Sequence, residues 1–482
     1  MNETIDSAQF VKSRHSKWIF FSNASSQLAS TLIGAVQGFL LFFYQVVIGL
    51  NIWYIVLAMT IFTIYNGIND PVIGYLVDRN FKFTRKWGRR FPWIVIGIIP
   101  WSLSVYLLFT VPNIDAAVNP WSVFWWLLFT LFLLDTFGTL VSVNQNALRP
   151  DLFRTEGERR RFAKYYTPID ILAIIIGMLL PAVFIDFFPG DARASYSLMG
   201  VVIATISLIF FIVSLPGNRE DKVVIDRYFS SDYKRMNFFK ALWKALKSRS
   251  FIVFFVFSTC YGIQIAVVVV NMLYLTTFVL QIGADMYIVI LAIYLFGTLI
   301  SYPLWLRYLR KINNNKKAFV IAGLTQCAAL IPLTFFVGLE DLFIWSLVLG
   351  LASGGLNAFT STILFPSVVD DFVVRIGKNQ KGVLIGIAAL LGRLVATIDE
   401  TIIAWVHNIT GFIEGNETYA EMLVDVTAAG GDINLVLLGI RLLMGIIPAV
   451  VLLLGILVFW KWFPLTQDVV VNNKIKLEEL GF

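Results

Sequence analysis

Asp70 is the residue with the sharpest chemical implication in this chain of 482 residues. It lies one helical turn below Asn66 in the run YNGINDP, Tyr65 to Pro71, with Asn69 beside it. A carboxylate set among amide oxygens can be neutralised by a proton or can hold Na⁺. Pro71 lacks a backbone donor and Gly67 loosens the turn above, so the run predicts free carbonyl groups that could add to an ion's ligands. Arg393 is the second such residue. Its planar guanidinium could grip a carboxylate or a pair of hydroxyls. Glu400 is seven residues away, about 10.5 Å along a straight helix. The partner of Arg393 is therefore predicted on another helix, at Asp70 or Asp135, or on a ligand.

Other polar residues recur at helical spacing. Asp135, Gly138, Ser142, Gln145 and Arg149 step by three and four, which draws one polar face down a helix. Asn23, Gln27, Ser30, Gly34 and Gln37 draw a second. Cys260, Gln264, Asn271 and Tyr274 draw a third, and Arg393, Thr397 and Glu400 a fourth. Small polar residues taken singly also serve close helix packing. Four stripes together predict a shared aqueous cavity.

These residues need helices that cross a membrane. The chain is 58% hydrophobic and 14% charged, with a mean hydropathy of +0.77. A soluble protein carries about 25% charged residues. The composition excludes a disordered chain, a soluble enzyme and a nucleic-acid-binding domain, and it predicts an all-α membrane protein. A span needs ~20 mostly apolar residues. Twelve such windows occur, near 18–48, 53–78, 92–111, 121–148, 165–187, 195–216, 250–281, 286–308, 318–338, 343–369, 383–407 and 434–462. The first is read as a retained helix, because no small-residue cleavage site follows a short apolar core. With twelve spans, 35 of the 38 basic residues fall on one side. Arg193 falls on the other, and Arg393 and Arg441 lie within spans. That asymmetry predicts both termini in the cytoplasm.

The longest basic interruption separates two six-helix halves, 1–217 and 250–463, joined by a cytoplasmic loop over 218–249 and followed by a tail over 464–482. Gly74 to Pro92 and Leu304 to Phe319 are helix ends followed by short basic turns at corresponding places in the halves. Parallel halves of this kind build the major facilitator architecture, with a substrate site between them at the midplane.

The runs NDPVIGYLVDR (Asn69 to Arg79) and TRKWGRRFPWIVIGIIP (Thr84 to Pro100) resemble the glycoside–pentoside–hexuronide:cation symporter family. The resemblance continues through Leu148 to Tyr166, FPSVVDD (Phe365 to Asp371), KGVLIGI (Lys381 to Ile387) and GIRLLMGIIPA (Gly439 to Ala449). It implies a cation site at two acids one turn apart on span two, of which Asp70 is the second and Asn66 replaces the first. It places the sugar-binding acids of the family's melibiose carrier at Ser30 and Ser142, a sugar-stacking Trp at Asn146, and a Lys linking the two sites at Arg393. Asp370 matches the first acid of the span-ten motif. With Asp78, Arg79 and the basic turns, it is expected to form inner-gate contacts.

The expected function is cation-coupled symport, by Na⁺ or H⁺, of a sugar or glycoside by a monomer in the cell membrane. Lysolipid or organic-anion transport on the same fold is the alternative. The cation set is Asp70, Asn66 and Asn69. The substrate set is Gln27, Ser30, Asp135, Ser142, Gln145, Asn146, Arg149, Gln264, Asn271, Arg393 and Thr397. No cofactor beyond the coupling ion is expected. His15 and His407 lie far apart, Cys260 and Cys327 are isolated, and no nucleophile–base pair or phosphate loop stands out, so an intramembrane enzyme is not expected. About 19 residues after the last span are too few for a sensor's signalling domain.

Overall fold

The computed structural model describes residues 15–77, 81, 84–153, 156–185, 188, 190–220, 243, 246–282, 284–312, 314–360, 364–376, 384, 387–388, 392 and 397–479. All secondary structure among these residues is helical, with no strand. Ten helices among them are long and apolar enough to cross a membrane. The fifth expected span falls on a continuous 30-residue helix outside those ten. The eleventh lies largely outside the described residues, and its C-terminal part is described as a helix from Ile398 to Thr410.

The first unit comprises Met1–Leu40 and Ile64–Tyr233. It contains α1 (Lys17–Val36), most of α2 (Ile52–Val77), α3 (Phe91–Phe109), α4 (Pro120–Leu152), α5 (Glu156–Ile185) and α6 (Ala192–Ser214). Here α1 packs on α5 and α6, and α3 on α4 and α6. α2 stays helical through Gly67 and Pro71 instead of opening there. Pro71 still brings no N–H to the Gly67 carbonyl, so the loosened acceptor survives inside an intact helix. α4 has 33 residues, about 50 Å at 1.5 Å per residue. It is therefore longer than the roughly 30 Å hydrocarbon layer.

The second unit comprises Leu41–Thr63 and Lys234–Phe482. It contains α7 (Arg249–Tyr274), α8 (Ala284–Ile312), α9 (Asn315–Leu330), α10 (Leu339–Phe359), α11 (Phe365–Ile376), α12 (Ile398–Thr410), α13 (Tyr419–Ala428), α14 (Ile433–Met444), α15 (Ile446–Trp462) and α16 (Gln467–Glu479). The C-terminal end of the first span, with a π-turn at Phe43–Val47, groups with this unit.

Without a hydrophobic drive between helices in lipid, close packing rests on small residues. Gly350 and Gly354 of α10 and Gly297 of α8 let these helices meet backbone to backbone. A β-carbon on Gly297 would lie 2.8 Å from the Leu347 carbonyl oxygen. One on Gly350 would run into the carbonyl of Tyr294. Gly297→Val should therefore lower stability by about 1–3 kcal/mol, read as a fall in the melting temperature of the detergent-solubilised protein. An unchanged melting temperature would mean the two helices can part without cost.

Candidate functional site

The seam between α2 and α4 is built from polar residues at matching heights. Asn66 Nδ2 donates to one carboxylate oxygen of Asp135 at 2.7 Å, and Asn69 Nδ2 donates to the other at 2.8 Å. Thr139, one turn further along α4, donates to Asp70 at 2.7 Å. Tyr65 stacks on Phe132 at 4.1 Å between centroids and places its hydroxyl on that of Thr136. Below this seam Ile73, Val77 and Leu140 form an apolar seal with Trp93 and Phe137. One carboxylate on each helix thus lies along this seam, Asp135 held by two amides and Asp70 by a hydroxyl. Such hard oxygen ligands suit a small cation or a proton.

Arg149, near the C-terminal end of α4, organises a second centre. Its Nε donates to Asn23 Oδ1 at 3.2 Å, Nη2 to Ser26 Oγ at 3.3 Å, and Nη1 to Asn146 Oδ1 at 3.2 Å. The guanidinium lies 5.1 Å from the centroid of Tyr166 and 5.9 Å from that of Phe162, both on α5. This aromatic floor attracts a cation and fixes its plane. Gln27 joins the same wall by donating to Asp170 of α5 at 2.9 Å. Ser30 turns back onto the Ser26 carbonyl, an intrahelical bond. Ser142 is half-buried, and the Nε2 of buried Gln145 has no hydrogen-bond partner among the described residues.

In the second unit Gln264 accepts from Gln326 at 2.8 Å. It lines a cavity of about 40 Å³ with Val268, Met272, Tyr287, Tyr294 and Leu349. Asn271 donates to the Ile440 carbonyl at 2.8 Å and ties α7 to α14. Thr397 stands at the start of α12, where its carbonyl accepts from the Thr401 amide. Arg441 donates to the Phe336 carbonyl at 2.7 Å and lies 4.3 Å from the Phe336 ring centroid. Arg393, Asp78 and Arg79 lie outside the described residues.

The structure brings Asn66, Asn69, Asp70 and Asp135 into one group, and Gln27, Asn146 and Arg149 into another. Sequence reading missed Tyr65, Thr136 and Thr139, because a threonine within a span is usually a packing residue. Their spacing from Asn69, Asp135 and each other was the available signal. It also missed the role of Asp371, the neighbour of Asp370. Asp371 is buried, accepts from Ser250 of α7, from Arg375 Nε at 2.8 Å and from Asn473 of α16 at 3.3 Å. One carboxylate thus ties α7, α11 and α16 together.

Comparison with known proteins gives these centres a context. The family described as MFS/sugar transport protein matches residues 22–467. An uncharacterized symporter of Synechocystis is 28% identical over 35% of this chain and 31% of its own length. The lactose permease of Lactobacillus helveticus is 22% identical over 89% of this chain and 64% of its own length. The chain thus aligns with less than two thirds of either relative. The sodium-dependent lysophosphatidylcholine symporter 1-A of Danio rerio is 22% identical over 86% of this chain and 79% of its own. A crystal structure of a bacterial homologue of the human lysosomal transporter Spinster, inward-facing and unoccupied, shares the fold. Its TM-score is 0.60 at 13% identity, covering 95% of this chain and 97% of that one.

Asp371→Ala should remove the acceptor shared by Ser250, Arg375 and Asn473, at a cost of about 2 kcal/mol. The expected readout is faster tryptic cleavage at Lys474 and Lys476 in α16. Cleavage at the wild-type rate would show that α16 is held by other contacts.

Proposed function

The chain belongs to the MFS/sugar transport protein family, and on that premise we propose that it is a cation-coupled symporter that moves a sugar or glycoside by alternating access. It is an integral, multi-pass membrane protein. In this reading it has twelve spans in two six-helix halves, 1–217 and 250–463, with both termini cytoplasmic, and works as a monomer in the cell membrane. The single-sided distribution of its basic residues supports that topology.

The observation that carries the reading is the α2–α4 seam, with Asp70 and Asp135 on facing helices. Asn66 leaves α2 with one carboxylate where the resembled family has two. Asp135 supplies a second from α4, held by that same Asn66. We assign Asp135 to the coupling-ion site for this reason, together with Asp70, Asn69 and Thr139. Placing an ionisable group at the bilayer centre costs at least about 2.5 kcal/mol. A bound Na⁺ or proton offsets part of that cost by neutralising the negative charge. Ion binding would draw α2 and α4 together around the seam and set the polar face of α4 for substrate.

Arg149, Gln27, Asn146, Ser142 and Gln145 are the substrate contacts in the first unit, with Gln264 and Thr397 in the second. A guanidinium braced on Tyr166 suits a carboxylate or phosphate on the substrate. That geometry, and the named substrate of the Danio rerio relative, favour a lysolipid as the second reading.

Counterflow in proteoliposomes, with melibiose, methyl glucuronide and lysophosphatidylcholine as labelled probes, tests the class. One of the sugar probes should exchange. Exchange of lysophosphatidylcholine alone would replace the main reading by the second. With Na⁺ and pH varied independently, Asp70→Asn and Asp135→Asn should each abolish ion-driven accumulation while retaining exchange. Accumulation at the wild-type level in both variants would overturn the ion-site assignment. Arg149→Met should raise the KM of an acidic probe about tenfold or more, as expected for loss of a charge-assisted bond.

A further inference from the structure

Asn23 lies on the stripe of span one and is fully buried. Its Oδ1 accepts from Arg149 Nε at 3.2 Å. Its Nδ2 donates to the Gly217 carbonyl and to Asn218 Oδ1, both at 3.0 Å. Asn218 in turn donates from Nδ2 to the Ser214 carbonyl at 2.9 Å. The orientation of the Asn23 amide follows from its partners. A guanidinium can only donate and a carbonyl can only accept, so the oxygen must face Arg149 and the nitrogen must face Gly217. Asn218 is fixed in the same sense, because its nitrogen is committed to the end of α6.

The result is a hydrogen-bond chain with one direction. It runs from Arg149 on α4 through Asn23 on α1 and Asn218 to the last carbonyls of α6. A second strand runs beside it, from the Gly217 amide to Ser22 Oγ at 2.8 Å and from Ser22 to the Val213 carbonyl at 2.6 Å. Gly217 fits here because a β-carbon would meet the backbone of Ile19 and Asn23. Three residues on, Glu220 Oε2 accepts the backbone N–H groups of Arg90 and Phe91 at 2.8 and 3.1 Å and caps α3. Bonds in such chains polarise one another, so moving one end changes the strength at the other.

We infer that Asn23 is a positioning residue that orients the Arg149 guanidinium for the substrate and couples it to the Gly217–Asn218 turn, where α6 passes into the cytoplasmic connection. This rests on the assignment of Arg149 as a substrate contact. An engaged substrate that shifts Arg149 would pull on that turn through Asn23, and with it on the Glu220 cap of α3. Asn23→Asp keeps an acceptor for Arg149 but cannot donate to the turn. Asn23→Leu loses both bonds. Asn218→Ala cuts the chain one link further from Arg149 and leaves the Asn23–Arg149 bond in place.

The test measures amide hydrogen exchange at Gly217 and Asn218 in the full-length protein in lipid nanodiscs, for the wild type, these three variants and Arg149→Met. Asn23→Leu and Asn23→Asp should speed exchange at the turn about tenfold, the effect of losing a buried hydrogen bond. Arg149→Met should speed it as well, although Arg149 does not touch the turn. Wild-type exchange in Arg149→Met would overturn the coupling, whatever the transport result. Counterflow with melibiose, methyl glucuronide and lysophosphatidylcholine gives the second reading. For any probe carried, Asn218→Ala should raise KM with the maximal rate kept, which a general loss of stability would not do. An unchanged KM in Asn218→Ala beside a raised KM in Arg149→Met would overturn the positioning role. An unchanged KM in Arg149→Met would instead remove Arg149 from the substrate site, leaving the exchange result to decide the coupling.

Discussion

A polar side chain in the hydrocarbon of a bilayer has no water to bond, so its partner must come from the protein. Much of this structure answers that demand. Asp135 takes an amide donor on each oxygen, and Asp70 takes the hydroxyl of Thr139. Gln264 pairs with Gln326, Asn271 finds the Ile440 carbonyl on a neighbouring helix, and Arg441 finds the Phe336 carbonyl in the connection before α10. Each bond fixes the register of two elements, because a slide of one residue would leave two groups unpaired. The polar residues that give the chain its chemistry are therefore also the residues that align its helices.

α4 is where these two duties meet. Asp135 lies near its middle and Arg149 near its C-terminal end, about 21 Å apart along the axis. One helix carries the carboxylate that faces α2 and the guanidinium that faces α1 and α5. A displacement of α4 at one centre is transmitted to the other by the helix backbone, with no intermediate side chain needed. That makes α4 a direct mechanical link between the two centres.

Some of this was readable from residues alone. Asp70, Asn66 and Asn69 stand together in one run, so their proximity is local and helical spacing suffices to find it. The stripes on the first and fourth spans were also legible, since a period of 3.6 needs no tertiary contact. The partner of each stripe was not legible. Asp135 and Arg149 fall on the same drawn face, yet Asp135 turns to Asn66 and Asn69 while Arg149 turns to Asn23 and Ser26. The contacts bridge between 66 and 126 positions of chain, and periodicity carries no information over that distance. Asp370 and Asp371 make the same point on one helix. They are adjacent acids in one motif, and burial against Ser250 and Asn473 distinguishes Asp371.

The sequence by itself determined that this is a helical membrane protein, because the free energy of leaving water is summed over ~20 residues at a time and leaves a plain record in composition. It also marked the few ionisable residues that such a protein must use or pair. Tertiary structure alone decided how they pair. It put Asp135 across from Asn66 and Asn69, gave Arg149 its aromatic floor on α5, and set Asn23 between Arg149 and the end of α6. The reason is that hydrogen bonds act over about 3 Å and depend on direction. Such contacts come into being only when distant helices have packed, and the linear order of residues does not contain them.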